Sequence, residues 1–151
     1  MKNNKRIKID YYKGAFGPTI RIDTLSTEAL ILMKDSLHEL ASGKVSEHKF
    51  HELPFVELSG LQEFYLKLIP KQRTKTVEIV KSEKDKTAFY WSNSLEGWDQ
   101  CAGLLDGITE TVPSHQYLSE EGIDDAVIVV AYLELKENMM DHENSGDTGL
   151  D

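Results

Sequence analysis

Several features that define other protein classes are scarce in this chain of 151 residues. Its single cysteine, Cys101, cannot form an internal disulfide, so nothing calls for an oxidising compartment and we expect a cytoplasmic protein. No stretch approaches the roughly 20 apolar residues that span a bilayer, and no apolar block follows the basic residues 1–8. We therefore expect neither a membrane span nor a secretory signal. With 40% apolar and 28% charged residues, the composition is that of one globular domain.

The chain also lacks recognisable sequence patterns for cofactor binding. Gly14 and Gly17 match neither the dinucleotide fingerprint nor the phosphate loop, so we predict no cofactor. His48 and His51 are close in sequence, but no further ligand follows at a metal-binding spacing, so we predict no metal site. Cys101 falls on an apolar helix face among acids, where its thiol would not be activated as a nucleophile.

Positive charge is missing from one long stretch of the chain. Residues 1–95 contain 16 Lys and Arg against 12 Asp and Glu, whereas residues 96–151 contain one Lys against 14 Asp and Glu. These parts carry +4 and −13 of the net charge of −9. Such a surface repels nucleic-acid phosphates and attracts cationic proteins, so we expect no nucleic-acid partner and consider a basic protein partner. Alternatively, the acids only keep the protein soluble or face the basic part within the fold.

Hydrophobic periodicity predicts a single α+β domain over residues 1–135. Strands are predicted at 6–12, 19–23, 55–58, 61–69, 74–81, 87–92 and 126–135, and helices at 27–42 and 95–107. The order β-β-α-β-β-β-β-α-β favours two layers, a mostly antiparallel sheet covered by two helices. No internal repeat of about 20–50 residues is visible. Residues 136–151 are predicted to form an acidic, disordered tail.

Both predicted helices begin at residues suited to cap them. Ser26 is placed to cap the first helix, and Asn93 or Ser94 the second. Ile31 and Leu32 lie off the apolar stripe of the first helix. We expect a loop to bury them, and the alternative is an exposed apolar spot for a partner.

The first set of candidate functional residues is acidic. Three carboxylates occupy the face of the second helix opposite its apolar residues, and four more precede the last strand. Together they would pair with Lys or Arg side chains of a basic partner and occlude it. These partner-binding candidates are Glu96, Asp99, Asp106, Glu120, Glu121, Asp124 and Asp125.

The second set lies in the predicted loop before the last strand and consists of His115, Gln116 and Tyr117. Loops on rigid scaffolds often carry functional residues, so a small enzyme site at His115 is one hypothesis. No carboxylate pair or second histidine stands beside it, which favours a structural role. Replacing a structural His115 by alanine would cost about 1–3 kcal/mol of stability.

Short stretches in the second half of the chain resemble known proteins. Residues 91–98 (WSNSLEGW), 104–107 (LLDG), 115–118 (HQYL) and 124–126 (DDA) resemble the ending of small bacterial proteins of unknown function, over about a third of the chain. In size, acidity and α+β layout, the chain is similar to immunity proteins that protect bacteria from their own toxins. This resemblance implies a non-enzymatic protein that binds and blocks a toxin domain, and it implies no particular site residues.

Three functions are therefore open. The first is a non-enzymatic acidic binding protein, of the immunity-inhibitor kind, that occludes a basic protein partner. The second is a structural or regulatory module that forms a homodimer through a sheet edge or through Ile31 and Leu32. The third is an enzyme with a small site at His115, for which the sequence offers few catalytic groups.

Overall fold

The computed structural model describes residues 6–15, 17–70, 76–81, 84, 86–119 and 124–133. Within these residues there are nine strands, two α-helices and a short 3-10 turn at Phe50–Glu52. In chain order the α-helices and strands are β1 (Ile7–Gly14), β2 (Gly17–Thr24), α1 (Thr27–Ala41), β3 (Glu47–Lys49), β4 (Val56–Ser59), β5 (Glu63–Leu68), β6 (Val77–Lys81), β7 (Thr87–Asn93), α2 (Leu95–Asp106), β8 (Ser114–Tyr117) and β9 (Val127–Tyr132).

The α+β class and the two-layer arrangement are confirmed, with both predicted helices in place. Strands β3 and β8 are additional to the predicted order. They have three and four residues, which is too short for alternation of apolar and polar residues to reveal a strand. The predicted tail at 136–151 lies outside the described residues.

The strands form two sheets, one with the order β4-β1-β2-β9-β8 and one with the order β3-β5-β7-β6. Four of the strand pairs are antiparallel, and three are parallel: β1 with β4, β2 with β9, and β5 with β7. The parallel pairs join strands that are distant in sequence. Because alternation within one strand says nothing about its neighbours, the division into two mixed sheets was not visible in the sequence.

The two sheets have related topologies. In each, a hairpin, β1–β2 or β6–β7, leads into a helix capped by a serine side chain, Ser26 or Ser94. After α1 the chain adds β3 and β5 to the sheet that contains β7, and after α2 it adds β8 and β9 to the sheet that contains β2. The described fold therefore consists of two ββαββ halves that exchange strands, with β4 as an addition.

Both sheets turn their apolar faces toward one core. Ile9 and Ile22 come from one sheet and Phe64 and Trp91 from the other, and all four are fully buried. Burying a side chain of this kind contributes about 1.5–3 kcal/mol. The helices complete the same core with Ala29, Leu30, Met33, Leu37, Leu40, Trp98, Cys101, Ala102 and Leu105.

The helices pack side by side. His38, in the last turn of α1, pairs with Asp106 at the end of α2, and Gly43, just beyond α1, lies beside Leu95 at the start of α2. Neither of the described helices is long and apolar enough to cross a membrane.

The expected burial of Ile31 is wrong, because 41% of its surface is exposed. Leu30 and Met33 face the core, and the helical rotation of about 100° per residue turns Ile31 away from it. Leu32 is half-buried and packs against the core. The surface of α1 therefore presents one large apolar side chain to solvent at this point.

Candidate functional site

Two of the predicted acidic candidates are exposed on the outward face of α2, and their carboxylates make no hydrogen bond to described residues. The Ser94 side chain accepts a backbone N–H in the first turn and fixes where the helix begins. Trp98 and Cys101 then face the core. The same helical spacing places Glu96 and Asp99 on the exposed side.

Asp106, at the end of α2, is exposed but contacts the neighbouring helix. Its Oδ2 atom lies 2.9 Å from Nε2 of His38, and each side chain is about half exposed. An ion pair in such a position contributes at most about 1 kcal/mol, because water screens it. Asp106 therefore stays accessible to a partner while it joins the ends of the two helices.

Asp124 and Asp125 have a different role from the one predicted. Oδ1 of Asp124 accepts hydrogen bonds from the Thr76 backbone N–H at 2.6 Å, the Thr76 hydroxyl at 2.9 Å and the Val77 N–H at 2.9 Å. Oδ2 of Asp125 accepts the Ile79 N–H at 2.9 Å, and the Asp125 N–H donates to the Val77 carbonyl at 3.0 Å. These two aspartates bind the chain to the outer edge of β6.

The position of β6 explains why two carboxylates are used there. β6 is an edge strand, so no neighbouring strand among those described offers carbonyl acceptors to its outward N–H groups. β1 occupies the corresponding position in the other sheet, and its outer edge pairs with β4. Asp124 and Asp125 supply acceptors in place of a strand, so each of these carboxylates already makes hydrogen bonds within the fold. Glu120 and Glu121 lie outside the described residues.

Acidic residues of α1 extend the surface formed by α2, although the charge count had placed α1 in the net-positive part of the chain. Glu28 and Asp35 are exposed on α1. Lys34 is directed elsewhere, because its ammonium donates to the Ile108 carbonyl at 2.6 Å. We call the outward surface of the two helices the helix face, and its exposed carboxylates are Glu28, Asp35, Glu96, Asp99 and Asp106.

Large apolar side chains are exposed in the same layer. On the two helices, Ile31 is 41% exposed, Leu95 50% and Leu104 47%. Single exposed apolar residues are ordinary, but several among like charges give a surface both apolar contact area and electrostatic selectivity.

A concavity lies at one end of the helix face, where β5 ends and α2 begins. It has a volume of about 430 Å³ and is lined by Leu68, Ile69, Pro70, Ser94, Leu95 and Glu96. Most of these side chains are aliphatic, and Glu96 is the charged member of the lining. No sequence pattern predicts this concavity, because its walls come from segments that are separated in the chain and meet through strand exchange.

The predicted loop of His115, Gln116 and Tyr117 is a strand, β8, at the edge of the five-stranded sheet. His115 is opposite Ala131 and Tyr117 is opposite Val129, so they share the sheet face that points away from the core. Gln116 lies on the other face. The rings of His115 and Tyr117 meet edge to face, with centroids 5.8 Å apart.

Three residues that the sequence analysis missed share the outer sheet face with His115 and Tyr117. Nε of Arg21 donates to both carboxylate oxygens of Asp23, at 3.0 and 3.2 Å. The third is Tyr12 on β1, one of the groups that interact with Arg21. The alternation of Lys8, Asp10 and Tyr12 with isoleucines was the available signal. We call Tyr12, Arg21, Asp23, His115 and Tyr117 the strand cluster.

Hydrogen bonding and burial set the chemistry of the strand cluster. Burial raises the pKa of Asp23, while Arg21 opposes the shift, and both oxygens of the carboxylate accept from Arg21. Burial also raises the pKa of Tyr12, so its phenol keeps its proton. Elsewhere, burial raises the pKa of the Cys101 thiol to about 12, which leaves it a thiol at neutral pH.

The two histidines considered as metal ligands contact other residues of the fold. Nε2 of His48 lies 3.2 Å from a carboxylate oxygen of Glu39, and Nδ1 of His51 accepts the Phe64 backbone N–H at 3.2 Å. Among the residues that the structure describes, no three His, Cys, Asp or Glu side chains are grouped to hold a metal ion.

Comparison with protein-family models, with curated proteins and with solved structures found no match to this chain. The geometry of its surfaces is therefore the basis for inferring its function.

Proposed function

We propose that this protein is a non-enzymatic binding protein whose helix face engages a basic surface of another protein and occludes it, as an immunity-type inhibitor does. The observation that carries the proposal is the combination of exposed acids and exposed apolar side chains on one layer of the fold. The two cationic candidates of α1 are engaged with α2, Lys34 with a backbone carbonyl and His38 with Asp106. The charge available to a partner on this face is therefore negative.

The carboxylates and the apolar side chains have different tasks in this proposal. Like charges on one face attract an oppositely charged surface and accelerate encounter, an effect that salt screens over about 8–10 Å. Exposed charge pairs add little affinity, because each pair loses hydration when it forms. Burial of Ile31, Leu95 and Leu104, at about 25 cal/mol per Å², would hold the complex together.

The test begins with capture of partners by the tagged full-length chain from its native host. A captured protein is then identified and purified, and its association rate is measured at several salt concentrations. We expect a rate that falls as salt rises, and that falls further when Glu96→Lys and Asp99→Lys are combined.

Glu57→Lys is the control, since Glu57 is an exposed acid of β4 in the sheet layer. It should change the association rate much less than the helix-face reversals. A partner whose association ignores both salt and the helix-face reversals contradicts the proposal. Equal effects of all the reversals would mean that only net charge matters.

The exposed Ile31 favours a second candidate, in which the partner is another copy of this chain. Two acidic helix faces would repel each other, so apolar contact would have to outweigh that repulsion. Sedimentation of wild type and Ile31→Ser at several concentrations distinguishes the two. Self-association that Ile31→Ser abolishes would favour the homodimer, and a monomer at all concentrations would exclude it.

A further inference from the structure

We infer that the concavity at the end of the helix face is a pocket for one lysine or arginine side chain of the partner. This inference rests on the proposed function, because it assumes a basic partner on the helix face. The walls contributed by Leu68, Ile69, Pro70 and Leu95 match the aliphatic stem of such a side chain. Glu96 at the rim matches its cationic head.

Chemistry at the rim favours a cation over an anion. The first turn of α2 carries the positive end of the helix dipole, equivalent to roughly half an elementary charge, which by itself would favour an anion. Glu96 carries a full negative charge in that same turn. The full charge outweighs the partial one, so the net charge of the lining residues is negative and favours ammonium or guanidinium groups over carboxylates and phosphates.

The concavity is large enough to admit one anchoring side chain together with water molecules that hydrate its charged head. Its volume of about 430 Å³ is at the small end of the range for ligand pockets, about 300–1,000 Å³. Side chains that anchor a protein interface commonly fill a pocket of the partner, and arginine is enriched among them. Leu95 lines the pocket, and the same partner would cover the part of its surface that is exposed.

The first experiment uses small probes and the full-length chain labelled with ¹⁵N. Butylguanidinium, pentanol and pentanoate share a short alkyl chain and differ in charge, and each is titrated while amide chemical shifts are recorded. We expect butylguanidinium to shift the amides of Ile69, Leu95 and Glu96 in a saturable way, with weaker binding of pentanol. Pentanol binding as tightly as butylguanidinium would overturn the role of Glu96, and pentanoate binding best would show an anion site instead.

Variants give the second readout. Glu96→Gln keeps the shape of the side chain and should weaken butylguanidinium about two- to fivefold, as expected when an exposed ion pair is lost. Glu57→Gln, a change at an exposed acid of β4 outside the helix face, should leave that affinity unchanged. Equal effects of the two variants would overturn the pocket.

The same variants separate this inference from the proposed function. If the isolated partner still binds in a salt-dependent way and the combined reversal at Glu96 and Asp99 still slows it, the proposed function stands. If butylguanidinium then fails to shift the pocket amides, only the inference about the pocket is wrong. If the partner ignores the reversals, the proposed function fails, whatever the probes do.

Discussion

Two pairs of acids from one acidic stretch of the sequence serve different purposes in this molecule. Glu96 and Asp99 are exposed on α2, and no hydrogen bond to described residues fixes their carboxylates. Asp124 and Asp125 are half-buried, and they accept backbone N–H groups along β6. The comparison teaches that an acidic residue in a charged stretch is fully available to a partner only if its carboxylate does not already accept hydrogen bonds from the backbone.

The largest expected effect comes from the structural pair. Asp124→Ala removes the acceptor of the Thr76 and Val77 N–H groups and leaves these donors at a sheet edge without a partner. We expect a loss of about 3 kcal/mol in the free energy of unfolding, measured by urea denaturation. Asp99→Ala, the matched change on α2, should alter it by less than about 0.5 kcal/mol.

A conservative variant sharpens this prediction. Asp124→Asn keeps the Oδ1 acceptor and loses only the charge, so its loss should be smaller than that of Asp124→Ala. Equal stability of Asp124→Ala and Asp99→Ala would contradict the claim that only Asp124 and Asp125 support the fold.

Two glycines of α2 extend the contrast between inward and outward positions. A Cβ at Gly97 would lie 2.7 Å from Oδ1 of Asn93, whereas a Cβ at Gly103 would have no described atom within 4 Å. We expect Gly97→Ala to lower stability by about 1–3 kcal/mol through overpacking. Gly103→Ala should raise it by up to about 1 kcal/mol, because alanine favours the helix. Thermal unfolding with matched protein concentrations measures both, and a gain at Gly97 would refute the close packing against Asn93.

Much of the secondary structure could be predicted because it depends on local patterns. Ser26 and Ser94 are at the predicted starts of α1 and α2, and helical spacing identified which side of α2 faces the core. Strands β1, β2, β5 and β7 follow from the alternation of their side chains. These features depend on the chain within a few residues.

The strand exchange and the role of Asp124 depend on distant segments. β9 pairs with β2, and Asp124 with Thr76, across long stretches of chain that no local pattern connects. The related halves place Ser26 and Ser94 nearly half the chain apart, which is too far for a short-repeat search to detect. The acidic surface on α2 could therefore be predicted, whereas the Asp124 contacts and the pocket beside Glu96 could not.

A fully buried carboxylate provides a pH-dependent test of the comparison. Burial raises the pKa of Asp23 above its ordinary value of 3.8, and the attraction of Arg21 only partly offsets this. The folded chain thus binds that proton more tightly than the unfolded chain does. The stability that Asp23 contributes by protonation is fully present below the unfolded pKa and is lost as pH rises through the folded pKa.

The measurement for Asp23 is an NMR titration of its carboxyl carbon. We expect a midpoint above 3.8, and a further increase in Arg21→Met, which removes the cation that favours the ionised form. A midpoint below 3.8 in the wild type would mean that the ion pair outweighs burial.

The smallest effect is expected at His115. Its side chain is exposed on the edge strand β8, so His115→Ala should change the free energy of unfolding by less than about 0.5 kcal/mol. This expectation replaces the 1–3 kcal/mol predicted for a buried loop anchor. A loss of that larger size in urea denaturation would show that His115 supports the sheet after all.

The most direct test of the different roles of the two acid pairs measures stability and association in the same variants. Wild type, Glu96→Lys combined with Asp99→Lys, and Asp124→Asn are each assayed for Tm and for the association rate with the purified partner, at temperatures where all are folded. We predict that the α2 reversal slows association and flattens its salt dependence, with only the modest loss of Tm expected for a lysine in the first turn of a helix. Asp124→Asn should instead lower Tm and leave association unchanged. The opposite pattern, with association lost in Asp124→Asn and unchanged in the α2 reversal, would contradict the account.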